Sequence, residues 1–213
     1  FWAGSGGDQP RYNQFDHNGC AVGAGPVAWA ILFCWADRQA ANGNAYWAPR
    51  TGLYRRDGGR GADDVAPLNQ TSGVNNVIRE LNGQVGTFCL FGSGATAPWD
   101  MPGAWRYLNG RSGTGLECHW NSLGIHRTSI ANEAAESICY RRTPAVIGTG
   151  WLSHYPVAFG YAWQRRTIRY TFAWWSWTET VTDTCFYVNK GWGGGGAGEW
   201  IDAGTWFSGE IHP

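Results

Sequence analysis

The sequence predicts an α+β fold, because helical and strand patterns occupy different parts of the chain. Apolar residues recur at helical spacing within 25–41, 73–82 and 130–141. After residue 143, β-branched and aromatic runs separated by short turns predict antiparallel strands. Segregated helices and strands favour an α+β fold over alternating βαβ units.

Length and composition limit the classes of protein that the chain can be. Its 213 residues fit one domain, with 1–143 mainly helical or loop and 144–213 mainly sheet. The 16 basic residues equal the 16 acidic ones, so no net field attracts nucleic acid or an anionic membrane. No apolar run reaches membrane-spanning length, and we expect a monomer. With 15 Trp, 32 Gly and few charges, the composition favours a protein secreted or delivered outside the producing cell.

The strongest predicted element is the helix over 25–41. Val27, Ile31 and Trp35 recur along one face, Pro26 suits the first turn, and Asn42 with the following glycine provides a stop. A further short helix is predicted over 102–109. Residues 42–72 read as a long polar loop, and 84–100 as glycine-rich chain with one short apolar run. Strands are predicted over 145–148, 155–163, 167–175 and 185–188.

The cysteine pattern leaves two interpretations open. Six cysteines allow three disulfides with fifteen connectivities, but they also fit buried free thiols, since Cys34 and Cys139 lie in apolar helical stretches. No close Cys-x-x-Cys pair occurs, so we expect no structural zinc and no metal or organic cofactor. The six are Cys20, Cys34, Cys89, Cys118, Cys139 and Cys185.

Ala24 stands where a nucleophile is expected. It comes directly before Gly25 and Pro26, at the start of the long helix. A side chain there faces unpaired backbone N–H groups and the positive end of the helix dipole, which would favour a thiolate. Ala24 then marks a cysteine replaced by alanine, a naturally inactive relative, or simply a small residue at a tight junction.

Two further positions complete a candidate triad. His154 heads an apolar strand, and Asn189 ends a later strand before a Gly-Trp-Gly turn at Trp192. A thiol hydrolase needs a thiolate, an imidazole that pairs with it, and a group that orients the imidazole. Gln14, ahead of the helix, offers a side-chain amide as an oxyanion donor beside the N–H of residue 24.

Three short stretches, about a fifth of the chain, resemble papain-like cysteine peptidases of the streptopain-like and bacteriocin-leader-processing branches. They are the Gly-Pro helix start at 24–26, the strand after His154, and the segment 188–194, Val-Asn-Lys-Gly-Trp-Gly-Gly. The resemblance implies a papain-like fold and amide-bond hydrolysis through an acyl-thioester. It also implies a protein or peptide substrate, with an inhibitor or immunity protein as a further partner, and a Trp192 that shields the His–Asn hydrogen bond.

The chain departs from that pattern at two points. The nucleophile is absent, and Gln14 lies further ahead of residue 24 than is usual in these families. Residues 42–130 match no known pattern and are expected to carry specificity. A toxin deamidase or transglutaminase on the same scaffold, and a non-catalytic glycan- or protein-binding module, are the alternative functions.

Other residues admit competing interpretations. Cys20 could itself be a nucleophile, but Gly23, Gly25 and Pro26 would then interrupt its helix, so half of a disulfide is the more natural role. The four histidines other than His154 are expected to be plain surface residues. The tryptophan cluster at 174–177 fits a sugar-stacking platform or a packed edge strand. The glycine run 193–196 is expected to form a mobile loop beside the cleft.

Overall fold

We describe the fold from a computed structural model. The structure describes residues 1–3, 9–47, 53–54, 65–109, 114–150, 154–192 and 197–213. About half of the predicted polar loop 42–72, residues 48–52 and 55–64, lies outside the described residues. None of the described helices is both long and apolar enough to cross a lipid bilayer.

The described residues form four α-helices. They are α1 (Ala24–Ala41), α2 (Ser72–Gln84), α3 (Trp105–Leu108) and α4 (Thr128–Cys139), with a 3₁₀ turn over Met101–Ala104. The predictions of α1, α2 and α4 are confirmed, and the helix predicted over 102–109 is divided between the 3₁₀ turn and α3. Helix α2 begins where Thr71 Oγ1 accepts a hydrogen bond from Val74 N, at 3.3 Å.

Ten strands form two small hairpins and one large sheet. The hairpins pair β1 (Asp16–His17) with β2 (Cys20–Ala21), and β3 (Phe88–Leu90) with β4 (Ser93–Ala95). The sheet contains β5 (Gly115–Trp120), β6 (Ala145–Gly148), β7 (Val157–Phe172), β8 (Trp175–Asn189), β9 (Ala197–Asp202) and β10 (Phe207–His212). Its strand order is β5-β10-β6-β7-β8-β9, and every neighbouring pair is antiparallel.

Helices cover both faces of the large sheet. Along β6, Val146 belongs to the core that contains α1, whereas Ala145 and Ile147 belong to the core that contains α4. Because successive strand residues point to opposite faces, this alternation places the two helices on opposite sides. A strand buried on both faces reads as a continuous apolar run, which explains the Ala-Val-Ile-Gly sequence of β6.

Helix α1 is the central helix of the fold. Fifteen of its eighteen residues are buried. The rings of Trp29 and Phe33 stack at 5.6 Å between centroids, and Phe33 stacks on Tyr107 of α3 at 5.4 Å. On the sheet side, a β-carbon on Gly209 would lie 2.7 Å from the Trp29 ring, so glycine lets β10 approach the helix closely. The sheet therefore fixes α1, and with it position 24.

The predicted strand pattern needed three corrections. The predicted strands 155–163 and 167–175 are joined in one strand, β7, which ends at Phe172. A tight turn at residues 173 and 174 then leads into β8, which has fifteen residues. Strands β5, β9 and β10 were not predicted, and β5 comes from the part expected to be helical. The broad prediction of a mixed fold with an antiparallel sheet is confirmed.

One disulfide is formed, between Cys20 and Cys89. The other four cysteines are free, so of the two interpretations a disulfide applies to Cys20 and Cys89 and free thiols apply to the rest. Cys20 is half of a disulfide, so its sulfur is not available as a nucleophile.

Candidate functional site

Position 24 lies at the first residue of α1. The residue before it, Gly23, has φ 95° and provides no side-chain cap for the N–H groups of the first turn. Ala24 itself is buried, with 7% of its surface exposed. The backbone ahead of it is held by the amide of Asn82, which donates to the Val22 carbonyl at 2.8 Å.

The hairpin of β3 and β4 packs directly against this helix start. A β-carbon on Gly94 would lie 2.7 Å from the backbone nitrogen of Gly23, which leaves no room for any side chain at residue 94. The Cys20–Cys89 disulfide joins the same hairpin to β2. Glycine at position 94 is therefore required for close backbone approach.

A chain of contacts connects the helix start to His154. A β-carbon on Gly25 would lie 2.9 Å from Thr96 Oγ1, so the helix backbone touches Thr96. The hydroxyl of Tyr155 donates to the Thr96 carbonyl at 2.8 Å, and Tyr155 follows His154 in the chain. One residue, Thr96, thus contacts both the start of α1 and the residue beside His154.

His154 lies just before β7 with its ring partly enclosed. Its carbonyl accepts a hydrogen bond from Thr149 N at 2.9 Å, which fixes the backbone. The imidazole lies 5.1 Å from the Trp192 ring, between centroids, at an angle of 37°. Its Nε2 atom is buried and has no hydrogen-bond partner among the residues that the structure describes. A buried polar atom without a partner is costly and is frequent at sites that complete their bonding with a ligand.

Asn189 does not make the predicted hydrogen bond to His154. Its Nδ2 donates to the Pro10 carbonyl at 2.7 Å, and its Oδ1 accepts from Gly191 N at 3.0 Å. The side chain is completely buried. Asn189 therefore fastens the turn that carries Trp192 to the amino-terminal segment.

That turn also rests on α1. A β-carbon on Gly191, at φ 69°, would lie 2.9 Å from Val27 Cγ1, in the first turns of the helix. Trp192 pairs with Asn13 through an isolated antiparallel bridge, which puts the half-buried Gln14 next to the same turn. The structure thus brings His154, Trp192 and the segment before α1 together.

A cavity of about 440 Å³ opens beside His154. Its walls include Lys190 and Trp192 from the turn after β8, and Asp202 from the end of β9. His126, which is exposed as predicted, also lines it. Ala24 is not among the described residues that line the cavity. The cavity is therefore lined by basic, acidic and aromatic groups. The turn that carries two of them, Lys190 and Trp192, rests on α1 through Gly191.

Lys190 is the functional candidate that the sequence interpretation missed. It is the only lysine of the chain and stands between Asn189 and Gly191. Its Nζ pairs with Glu199 at 2.5 Å and lies 5.0 Å from the centre of the Trp192 ring. Its rarity in an arginine-rich chain was the one available signal.

Burial lowers the pKa of His154 below its usual value, and the nearby Lys190 ammonium lowers it further. The ring is therefore neutral at pH 7. The unfolded chain binds this proton more readily than the folded protein does. The neutral His154 ring therefore makes its full contribution to the free energy of unfolding above a pH of about 6.5. That contribution is lost as the pH falls through the lowered pKa of the folded protein.

We expect Lys190→Met to raise the pKa of His154 without restoring its ordinary value. The substitution removes the repelling charge, but burial is the larger cause and remains. Titration of the imidazole carbon-bound protons by NMR measures the change. Arg106→Met, which removes a charge from α3, should leave the value unaltered. An unchanged His154 pKa in Lys190→Met would contradict the assigned cause.

No free cysteine supplies a substitute nucleophile at the start of α1. Cys34 lies inside the helix, and burial raises its pKa to about 12. Burial also raises the pKa of Cys118 and of Cys139. These thiols are held in the protonated form, which is the unreactive one.

Two segments of the candidate site lie outside the described residues. They are 151–153, directly before His154, and the glycine run 193–196 after Trp192, for which a mobile loop was predicted. No groups of His, Cys, Asp and Glu with the makings of a metal site occur in the part of the chain that the structure describes. In comparisons with known proteins, no family model and no curated protein matches this sequence.

Proposed function

We propose that the chain has the scaffold of a papain-like cysteine peptidase in which Ala24 occupies the nucleophile position. The observation that carries the proposal is the placement of the His154 imidazole. Its ring lies against Trp192, and its Nε2 has no partner among the described residues. Thr96 contacts both the start of α1 and Tyr155, the residue that follows His154. An imidazole held near a helix N-terminus is the arrangement that activates a thiol there. As written, the chain lacks that thiol and forms no acyl-enzyme.

The proposed reaction requires a thiol at position 24. His154 takes the proton of that thiol, the resulting thiolate attacks the substrate carbonyl carbon, and the N–H of residue 24 with the Gln14 amide stabilises the oxyanion. The carbon–nitrogen bond then breaks, and the departing amine takes a proton from the protonated His154. Water, deprotonated by His154, hydrolyses the thioester and regenerates the thiol.

Asn189 enters this proposal mainly as a positioning residue. A carboxamide oxygen accepts two hydrogen bonds, and Asn189 Oδ1 uses one for Gly191 N. It retains capacity for the ring N–H of His154. Its bonds to Pro10 and Gly191 meanwhile hold Trp192 against the imidazole.

The Cys20–Cys89 disulfide supports placing the chain in an oxidising compartment, and therefore outside the cytosol. The same triad also serves deamidation, in which ammonia leaves instead of a peptide amine, and transglutamination, in which an amine replaces water. Products distinguish these reactions, because hydrolysis divides the substrate whereas deamidation adds about one dalton to an intact chain.

Restoring the nucleophile tests the proposal. We expect Ala24→Cys, incubated with an unfolded protein substrate, to yield cleaved peptides at least about 10³-fold faster than the starting chain. Intact-mass and peptide mass spectrometry measure both cleavage and deamidation. Ala24→Ser and the double variant Ala24→Cys/His154→Ala are the matched controls.

Each outcome of this experiment has a defined meaning. Cleavage that depends on His154 supports the peptidase proposal. Deamidation or amine incorporation without cleavage replaces it with the alternative reaction on the same scaffold. An Ala24→Cys variant that has the circular dichroism of the starting chain and no reaction of either kind overturns the catalytic proposal.

A further inference from the structure

Strands β7 and β8 extend far beyond the sheet as a two-stranded ribbon, residues 162–185. In the described part of the chain, β6 pairs only with Ala158 and Val157 of β7, and β9 pairs with β8 from Cys185 onward. Gly160 also bridges Trp2, and beyond it, from Trp163 to Thr184, the two strands form ladders only with each other. At about 3.3 Å per residue, the ribbon projects roughly 33 Å.

The end of the ribbon, residues 170–177, is aromatic and exposed. We call it the ribbon tip. Phe172 is 76% exposed, Trp174 at the turn 88%, and Trp175 69%. No charged residue occurs between Arg169 and Glu179. Solvent-exposed aromatic groups of this size, unbroken by charge, mark a surface that is covered in use.

Cross-strand register places the aromatic rings of the tip on one face. Phe172 pairs with Trp175 and Tyr170 with Trp177, so these four side chains point the same way. Tyr170 and Trp177 stack on each other, 5.3 Å apart at 20°. Each ring therefore covers one face of the other and holds it in place.

Arginines flank the tip on its other face. Arg165 and Arg169 lie opposite Thr182 and Thr178, so this face carries two cations and no acid over the length of the ribbon from residue 163 to residue 184. The acidic residues Glu179 and Asp183 lie on the aromatic face, where Asp183 pairs with Arg166 at 2.6 Å. The two cations behind an uncharged tip complement a layer of phosphate groups.

We propose that the ribbon tip inserts into the surface of a bilayer that contains anionic phospholipid. Trp and Tyr concentrate at the boundary between headgroups and acyl chains. Beyond Arg169, β7 contributes three uncharged residues, and before Glu179, β8 contributes four. Together they form about 10 Å of uncharged ribbon, which matches the insertion depth of interfacial segments. Arg165 and Arg169 then lie at phosphate level. The proposal is independent of catalysis at position 24.

Vesicle flotation tests this proposal with the full chain. We expect binding to vesicles of phosphatidylcholine and phosphatidylglycerol, weaker binding to phosphatidylcholine alone, and at least about a tenfold loss in Phe172→Ser/Trp174→Ser/Trp175→Ser. Arg165→Gln/Arg169→Gln should lose the preference for anionic lipid. Trp105→Ser/Tyr140→Ser removes exposed aromatic groups elsewhere and should bind like the starting chain.

The single variant Trp174→Ser guards against an unfolded ribbon, because its side chain is nearly free of contacts at 88% exposure. It should retain the circular dichroism of the starting chain and bind vesicles more weakly. Absence of binding to either vesicle by the starting chain overturns the proposal. So does a tip variant with undiminished binding, or a dimer in solution that the tip substitutions convert to a monomer.

Discussion

Replacing both members of the disulfide, Cys20→Ser with Cys89→Ser, is expected to lower the free energy of unfolding by about 4 kcal/mol. The two cysteines are 69 residues apart, so the cross-link removes much conformational freedom from the unfolded chain. For a domain of this size the loss corresponds to roughly 10 °C in Tm. Thermal unfolding with and without reductant measures it.

The loss should be concentrated at the start of α1. The disulfide joins β2 to the hairpin that packs on Gly23 and Gly94, and Ala21 N donates to the Gly92 carbonyl at 3.1 Å. Hydrogen exchange should therefore accelerate at residues 20–25 more than in α4. Cys185→Ser, which removes a half-buried free thiol, is the control and should leave the Tm nearly unchanged. Equal Tm values for the double variant and the starting chain would contradict this role.

The helices were predictable because their burial follows helical spacing. In α2, Val74, Val77, Ile78 and Leu81 form the one buried stripe, as the periodicity indicated. Helix α1 is buried on all sides, so its length, Pro26 and its termination at Asn42 carried the prediction.

Among the strands that were missed, β10 carries polar residues in buried positions. In β10, Ser208 and Glu210 are both buried, and the Ser208 hydroxyl donates to the Glu210 carboxylate. The two side chains hydrogen-bond to each other only in the folded protein. In the sequence alone, two polar residues at these positions are therefore typical of a loop. The ribbon was divided in the prediction because Gln164, Arg165 and Arg166 interrupt its apolar pattern. A ribbon exposed on both faces needs no such pattern.

The sequence predicts which residues form the candidate site better than it predicts the hydrogen bonds that they make. His154 and Trp192 were chosen from sequence and lie in contact. The partners of Asn189 were not foreseeable, because one of them, Pro10, is 179 residues away in the chain. The cavity is lined by residues from separate parts of the chain, among them His126, Lys190 and Asp202. No local sequence pattern predicts that these residues come together.

A thiol introduced by Ala24→Cys is expected to alkylate with iodoacetamide much faster than an ordinary cysteine near neutral pH. The neutral His154 ring can take the proton of the introduced thiol, and the resulting imidazolium, together with the positive end of the helix dipole, stabilises the thiolate at that position. We expect at least about a tenfold higher rate at pH 6.5 than for Cys139 in the same molecule, whose pKa is raised by burial.

The central claim is that the imidazole of His154 serves position 24, and the pH dependence of this alkylation tests it most directly. Peptide mass spectrometry follows the introduced thiol and Cys139 separately in one sample. The account predicts an apparent thiol pKa below about 8.5 in Ala24→Cys, with a return toward 8.5 and slower alkylation when His154→Ala is added. A rate at position 24 that matches Cys139, or that is indifferent to His154→Ala, would contradict it.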